Sequence, residues 1–294
     1  MIHLLFVFLS LAYSQNLVFS ALGDTGMDNS GQAIVAENLK LVCQQENCNF
    51  GLMLGDIIYK TGPKSAEDEQ FYHKYEKYYS DLDFPFYSVL GNHDYGLLAR
   101  SYKKADYYLE YAKTNPQFLL PNLYYYFEAG DVLFIALDTN RIMNGKLIKE
   151  QAAMIKQALK NSSAKWVLVY GHHPYLSNGP HGNAGRYEDL PLPPVLSGKR
   201  IKKFFDQHLC GKMDVYYSGH DHSLQILPGN EGCAADFVVS GAGAEASSLF
   251  DRNPVYFMVK EIGFVLTKVY DNYLSLEVRG IEGSILHTHE ITKD

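Results

Sequence analysis

Seven side chains that bind hard metal ions lie in five short motifs, and in each motif a glycine comes directly before a polar residue. They are two aspartates, one tyrosine, one asparagine and three histidines: Asp24, Asp56, Tyr59, Asn92, His172, His220 and His222. Oxygen donors mixed with imidazole, without a thiolate, suit iron, manganese or zinc. One carboxylate bridging two such cations would hold them about 3.5–4 Å apart, a spacing that suits hydrolysis of a phosphate ester.

Each motif follows a short apolar run that predicts a β-strand, at 18–22, 50–54, 86–90, 166–170 and 214–217. Amphipathic stretches between and after these runs predict helices at 32–43, 66–79, 103–113, 146–160 and 198–209. This alternation is typical of an α/β domain. Ligands of open α/β sheets bind beyond the carboxyl ends of the strands, so we expect the five motifs to converge on one site at a sheet edge.

The pattern changes after Cys233, where three runs at 264–270, 273–278 and 284–292 predict antiparallel strands joined by short turns. We expect these strands to form a second sheet packed on the first. The chain contains no Pro/Ser/Gly-rich linker, and we therefore predict a single domain over residues 15–294.

The composition is that of an ordinary globular protein, with 294 residues, 47% hydrophobic and 20% charged. The net charge is −7, and the densest basic cluster is Lys199-Arg200 with Lys202-Lys203. This charge pattern argues against nucleic acid as a partner.

Residues 1–14 are predicted to be a signal peptide. They lack charged side chains, contain the apolar stretch 4–9 and place Ala12 and Ser14 before a cleavage site near Gln15. The alternative is a buried first strand or helix. The apolar run is shorter than the ~20 residues that cross a bilayer, so we expect no stable membrane anchor. We predict a monomer of the secretory pathway, with an extracellular, lysosomal or vacuolar destination.

The four cysteines fall into a near pair and a farther pair, which predicts the disulfides Cys43–Cys48 and Cys210–Cys233. Four reduced core thiols are the alternative. Asn161, in Asn161-Ser162-Ser163, is the candidate glycosylation site and follows a predicted helix, where we expect a surface loop.

The five motifs together resemble the motif set of the purple acid phosphatases, within the calcineurin-like metallophosphoesterases. The resemblance runs from about Leu17 to the C-terminus, and 55–62 and 219–225 look most like the small tartrate-resistant type. It implies a four-layer α/β/β/α sandwich of two mixed sheets. It also implies a secreted acid phosphatase that hydrolyses phosphate monoesters, small molecules or phosphoproteins, by metal-hydroxide attack.

The resemblance gives each candidate ligand a role in a binuclear centre. Fe(III) would be held by Asp24, Tyr59 and His222. A divalent ion, Fe(II), Zn or Mn, would be held by Asn92, His172 and His220, with Asp56 as the bridge.

His93 and His181 resemble the family's histidines that bind phosphate and protonate the leaving alkoxide. In most related phosphodiesterases the first motif is Asp-x-His, and its histidine is a metal ligand. Here Gly26 stands at the histidine position, and Tyr59 would supply a phenolate instead. The segment 139–145 looks shorter than the exposed loop whose cleavage activates the mammalian enzymes.

Two other functions remain open from the sequence. One is a calcineurin-like phosphodiesterase using two divalent ions. The other is a non-catalytic secreted metal-binding protein, against which His93 and His181 argue, because neither is needed to hold metal.

Overall fold

The computed structural model describes residues 17–96, 100–190 and 192–293. The predicted signal peptide at 1–14 lies outside the described residues. Within these ranges the strands are β1 Leu17–Leu22, β2 Phe50–Met53, β3 Phe86–Ser88, β4 Phe118–Leu119, β5 Tyr125–Ala129, β6 Val132–Ala136, β7 Trp166–Tyr170, β8 Val215–Ser218, β9 Leu224–Leu227, β10 Asp236–Ser240, β11 Phe257–Val259, β12 Phe264–Val269, β13 Tyr273–Arg279 and β14 Ile285–Thr292. The α-helices are α1 Ser30–Glu46, α2 Lys77–Tyr79, α3 Tyr102–Thr114, α4 Thr139–Met143, α5 Ile148–Asn161 and α6 Lys199–His208.

The strands form two mixed sheets of seven strands each. The first has the order β14-β13-β12-β1-β2-β3-β4, and the second has the order β11-β9-β10-β8-β7-β6-β5. Strands β1, β2 and β3 are parallel neighbours in the first sheet, and β6, β7 and β8 are parallel neighbours in the second. The carboxyl ends of each parallel set therefore lie along one edge of its sheet.

Aromatic side chains fill the space between the two sheets. Phe19 and Phe50 of the first sheet stack on each other and both contact Phe134 of the second, at ring-centroid distances of 5.2 and 5.3 Å. Strand β6 alternates, so that Phe134 packs in this central core while Ile135 packs in the outer core beneath α5 and α6. Helices cover the outer face of each sheet, which confirms the four-layer α/β/β/α sandwich.

The C-terminal strands do not form the second sheet, so that prediction is wrong. β12 pairs antiparallel with β1, and β13 and β14 follow it, so these strands complete the first sheet. The second sheet is built from β5 to β11. Pairing of β12 with β1 brings the two ends of the described chain into one sheet.

One other local prediction needs correction. The predicted helix at 66–79 shortens mainly to a π-helical turn, Tyr72–Glu76, followed by α2. The segment 139–145, predicted to be shorter than the exposed loop of the mammalian enzymes, is mainly the short helix α4, with Asn140 and Ile142 buried.

Both predicted disulfides, Cys43–Cys48 and Cys210–Cys233, are present. Asn161 is the exposed last residue of α5, so it lies at a helix end and not within a loop. Its glycosylation stays a prediction. Among the described residues, no helix is both long and apolar enough to cross a membrane.

Candidate metal centre

The five motifs directly follow the carboxyl ends of β1, β2 and β3 in one sheet and of β7 and β8 in the other. The site therefore lies where the edges of the two sheets meet, and not at the edge of a single sheet. Three candidate ligands at these strand ends have left-handed backbone, with φ of 58° at Asp24, 55° at Asp56 and 70° at His220. Such backbone is uncommon for residues with a side chain and is concentrated at functional sites.

Two motif glycines are required by the close approach of the carboxylates. A Cβ atom on Gly91 would lie 2.1 Å from Oδ1 of Asp56. One on Gly219 would lie 2.4 Å from Oδ2 of Asp24. Any side chain at these positions would push a candidate ligand out of place, which explains why glycine precedes the polar residue there.

Asp24, Tyr59 and His222 form one half of the cluster. The hydroxyl of Tyr59 donates to Oδ1 of Asp24 over 2.9 Å and lies 3.1 Å from Nε2 of His222. Nε2 of His222 is also 3.5 Å from Oδ1 of Asp24. On its other side, Nδ1 of His222 lies 3.0 Å from Oε1 of Glu245. The outer nitrogen is thus occupied, and Nε2 faces the centre.

Asn92, His172 and His220 form the other half. Nε2 of His172 lies 2.9 Å from Oδ1 of Asn92 and 3.1 Å from Nδ1 of His220. Nδ1 of His172 lies 2.9 Å from the carbonyl oxygen of Leu54, which fixes the ring orientation.

Asp56 lies between the two halves. Its Oδ2 is 3.4 Å from Nε2 of His172, and one ligand atom each from Asp56, His172 and His220 all lie within 4.8 Å of one another. The side chain of Asp56 also interacts with the Tyr59 hydroxyl. The structure therefore brings all seven predicted ligands into one cluster.

The electrostatics of the cluster favour bound cations. Asp24 and Asp56 are each only 1% exposed. Burial raises the pKa of Asp56, with His172 opposing the shift and the Asp24 charge reinforcing it. Burial, followed by the charges of Asp24 and Asp56, raises the pKa of Tyr59 well above 10. Two adjacent buried carboxylates and a phenol in this setting call for positive charge, which metal ions supply.

The histidines at the cluster are in different electrostatic states. Burial keeps the pKa of His220 well below 6.5, and the neighbouring histidines add to the effect, so its ring offers a neutral lone pair. For His222, burial is outweighed by the hydrogen bond and charge of Asp24, which raise the pKa to about 9. A metal ion bound between Asp24 and His222 would displace that proton. The residues present thus fit a two-metal centre.

The two predicted catalytic histidines line the same cavity, of about 270 Å³, which also exposes Asn92 and His220. His93 approaches from one side, with Nε2 4.0 Å from Oδ2 of Asp56 and Nδ1 2.7 Å from the carbonyl oxygen of Lys60. His181 approaches from the other, with its ring stacked on His220 at 4.1 Å between centroids. A phosphate ester entering this cavity would meet both imidazoles beside the metal ligands.

The sequence profile of the calcineurin-like phosphoesterases matches residues 17–224, more than half of the chain. The chain belongs to this family. That span includes every candidate metal ligand and both predicted catalytic histidines. The conclusion agrees with the α/β metallophosphoesterase fold described above.

Curated relatives of this calcineurin-like phosphoesterase carry purple acid phosphatase names, which confirms the predicted resemblance. Purple acid phosphatase 4 of Arabidopsis thaliana is 26% identical over 95% of this chain and 84% of its own length. Tartrate-resistant acid phosphatase type 5 of Sus scrofa is 28% identical over 77% of this chain and 69% of its own. Among solved structures, GAP50, the anchor in the inner membrane complex of Plasmodium, has a TM-score of 0.76 at 20% identity and shares the fold, with 96% of this chain and 90% of GAP50 covered.

Two buried carboxylates that the sequence analysis missed hold the loops of the phosphoesterase site. Asp94 accepts backbone N–H bonds from Gly91, Ile57 and Ile58, at 2.7 to 3.0 Å. Asp221 accepts the backbone N–H of His181 over 2.8 Å. Both aspartates are adjacent to predicted site residues in sequence, in the runs 91–94 and 219–222, so their position was a usable signal.

Two acidic residues outside the motifs were also missed, Glu188 and Glu245. Glu188 bonds Nδ1 of His181, and Glu245 bonds Nδ1 of His222. Glu188 meets His181 because their shared loop reverses, and Glu245 meets His222 across 23 residues of sequence. A further histidine, His173, is buried and lies 2.8 Å from the Thr139 hydroxyl, so it packs beside the site.

Proposed function

We propose that this metal-dependent phosphoesterase is an acid phosphatase acting on phosphate monoesters at an Fe(III)–M(II) centre. The observation that carries the proposal is the clustering of seven donor side chains from two sheets, with His93 and His181 lining the cavity beside them. We assign Asp24, Tyr59 and His222 to the ferric ion, and Asn92, His172 and His220 to Fe(II), Zn or Mn. Asp56, which lies between the halves, would bridge them.

The bound cations would supply Lewis-acid activation of water and neutralise the charge of the phosphate. The chain's own residues then position the ester. His93 lies between Tyr59, at 4.4 Å between ring centroids, and the carbonyl oxygen of Lys60, and so presents its Nε2 edge towards the phosphate. His181 is held by Glu188 at Nδ1, which leaves Nε2 to donate a proton to the departing alkoxide.

Tyr59 is the residue that favours ferric iron over a second divalent ion. Its burial and acidic neighbours oppose ionisation, so it becomes a phenolate only against a strongly charged cation. A phenolate is a hard anionic donor that suits a trivalent ion. Gly26 has its backbone packed against Ile57, where a Cβ would lie 2.0 Å from the Ile57 carbonyl oxygen, so a histidine could not stand at this position without backbone movement.

We further infer one domain over residues 15–294, because β12 to β14 complete the sheet that β1 begins. Two disulfides support passage through the secretory pathway, because disulfides persist in oxidising compartments. We therefore propose an extracellular, lysosomal or vacuolar location.

A second candidate is a non-catalytic secreted metal-binding protein, since GAP50, described as an anchor, shares this fold. The two candidates differ in what His93 and His181 must do. Neither side chain belongs to the set of seven donors, so a purely structural centre does not require them.

Hydrolysis of p-nitrophenyl phosphate by metal-loaded wild type and by His93→Ala tests the proposal. We expect turnover near pH 5 to 6 and a loss of about 100-fold or more in kcat in the variant, at unchanged metal content. Wild-type rates for bis(p-nitrophenyl) phosphate above those for the monoester would favour the phosphodiesterase. Unchanged turnover in His93→Ala would remove the catalytic assignment.

The visible spectrum tests the ferric assignment separately. An Fe(III)–phenolate pair gives a charge-transfer band, which we expect in the wild type and not in Tyr59→Phe. A colourless, active wild type with two divalent ions would overturn the ferric assignment.

A further inference from the structure

A basic groove of about 650 Å³ lies on the second sheet's side of the molecule, beside the loop that carries His181. Its cationic lining is Arg186, Lys199, Lys202 and Lys203, and its one acidic residue is Asp206. The protein as a whole carries a net charge of −7, so this surface has the opposite sign to the rest of the chain. The metal centre uses none of these residues.

Among the described residues, three of these four cations form no ion pair. Lys202 bonds Asp206 at 2.8 Å and also donates to the hydroxyl of Tyr175. The charges of Lys202 and Asp206 therefore neutralise each other in the groove. Within the described part of the chain, no ion pair involves Arg186, Lys199 or Lys203, and all three side chains are exposed. The acidic residues next to Arg186 are engaged elsewhere, Glu188 with His181 and Asp189 with Arg252.

The placement of the lysines is unfavourable for the helix itself. Lys199 is the first residue of α6, whose first turn contains no acidic residue, although a helix N-terminus favours negative charge. Lys199 and Lys203 are four residues apart, so their like charges also repel on one helix face. A local arrangement that costs stability without a structural gain points to a role in binding.

Hydrogen bonds and a disulfide hold both walls of the groove in place. On one side, Oδ1 of Asn183 accepts the backbone N–H of Ser177 and the side-chain amide of Asn253, both at 2.9 Å. On the other, Asn230 exchanges backbone hydrogen bonds with Cys233, which the disulfide to Cys210 ties to the end of α6. A preformed surface binds with a smaller loss of conformational entropy.

We propose that this groove docks an acidic segment of a polypeptide substrate while its phosphorylated residue occupies the catalytic cavity. The inference rests on the proposed phosphatase function. The loop connects the two surfaces, since His181 lines the cavity and Asn183 to Arg186 line the groove. His181 and Arg186 are five residues apart, which spans at most about 18 Å. Acidic side chains within about five residues of the phosphorylated one would therefore reach the groove.

The shape favours a peptide over an anionic membrane. The surface is a concave groove, and the exposed amide of Gln207 lines it beside the cations. This amide can bond the backbone N–H and C=O of an extended chain. A flat bilayer would contact the rim of such a groove and leave its floor empty.

The test compares two phosphoserine peptides, one flanked on both sides by glutamates and one by glutamines. We expect wild type to prefer the glutamate peptide in kcat/KM. Lys199→Glu/Lys203→Glu should lower that preference about five- to thirtyfold while p-nitrophenyl phosphate turnover stays within about twofold. Added salt should reduce the wild-type preference in the same direction.

The matched control is Lys156→Glu/Lys160→Glu, which makes the same charge change on the exposed face of α5. An equal loss of preference in this control would show a net-charge effect and overturn the docking site. An unchanged preference in Lys199→Glu/Lys203→Glu would overturn it as well. If Lys199→Glu/Lys203→Glu lost binding to phosphatidylserine vesicles but kept the preference for the glutamate peptide, the groove would bind membranes and the peptide proposal would be overturned.

Binding of an unphosphorylated glutamate-rich peptide, followed by fluorescence anisotropy, separates this proposal from the phosphatase itself. If no phosphate ester is hydrolysed, the proposed function fails. Tight binding that is lost only in Lys199→Glu/Lys203→Glu would still support the groove, and absent binding would overturn it.

Discussion

Glu188 bonds His181 at two places. Its carboxylate contacts Nδ1 of the imidazole, and its backbone N–H donates to the His181 carbonyl oxygen over 2.9 Å. Glu188 and the next residue, Asp189, have left-handed φ of 62° and 52°, and Asp189 is held by Arg252 at 2.6 Å. Such backbone costs about 1–2 kcal/mol per residue, so the loop stores strain in order to hold the carboxylate against the imidazole.

Glu188→Gln should impair the proton transfer more than the binding of phosphate. The variant keeps the shape of the side chain but loses the carboxylate charge that faces Nδ1 of His181. We expect kcat to fall about tenfold for an alkyl phosphate, whose leaving group needs a proton, and by less than about threefold for p-nitrophenyl phosphate. Steady-state kinetics on the two substrates measure the difference.

Glu282→Gln is the matched control, because Glu282 is exposed and also has left-handed backbone, with φ of 63°. It should leave both rates unchanged. Equal losses on the alkyl and aryl substrates in Glu188→Gln would show that Glu188 has only a structural role.

Asp94→Ala should destabilise the protein and weaken metal binding together. Asp94 is fully buried and accepts three backbone N–H bonds and the hydroxyl of Tyr108, so its removal leaves several donors unpaired beside Asp56. We expect a loss of about 3 kcal/mol in the free energy of unfolding, measured by urea denaturation.

Tyr108→Phe removes only one donor to the same carboxylate and should cost about 1 kcal/mol with metal content unchanged. If Asp94→Ala retained the full metal content, Asp94 would not position the ligand loops.

Asp138 should make the free energy of unfolding decrease as the pH rises from about 4 to about 6. Burial raises its pKa to about 6, against an ordinary value of 3.8, although the Tyr95 hydroxyl and the Arg141 N–H donate to it. In this interval the folded state binds more protons than the unfolded state, so a rise in pH removes stability until the carboxylate is ionised in both.

Asp138→Asn keeps the N-cap of α4 and cannot ionise, so its stability should not show this decrease. The comparison is the free energy of unfolding of both proteins from pH 4 to pH 7 at equal metal content. A difference between them that stays constant with pH would contradict the assignment.

The sequence was sufficient to predict which candidate ligands cluster, because each lies in a local motif directly after one of five strands. It was not sufficient for the sheets. Which strands pair is decided by contacts between distant residues, and the pairing of Leu17 with Val269 across the whole chain leaves no local signal. The sequence therefore predicts correctly that the three C-terminal strands are antiparallel, but it predicts the wrong sheet for them.

The residues that hold the site loops also divide into those that local sequence marks and those that it does not. Asp94 and Asp221 lie inside the motifs beside candidate ligands, so their sequence position is a sufficient signal. Glu188, in contrast, meets His181 because a loop reverses between them. That loop is held by the ion pair of the next residue, Asp189, with Arg252, which is distant in sequence. No periodicity or spacing marks such a contact.

The number of metal ions per chain tests the central claim most directly. It can be measured by plasma mass spectrometry on purified protein that hydrolyses p-nitrophenyl phosphate. With six donors around Asp56, the proposed bridging carboxylate, we predict two transition-metal ions per chain, one of them iron, and fewer than two in Asp56→Ala with loss of turnover. Full turnover with one metal ion or none, or two ions and full turnover in Asp56→Ala, would contradict it.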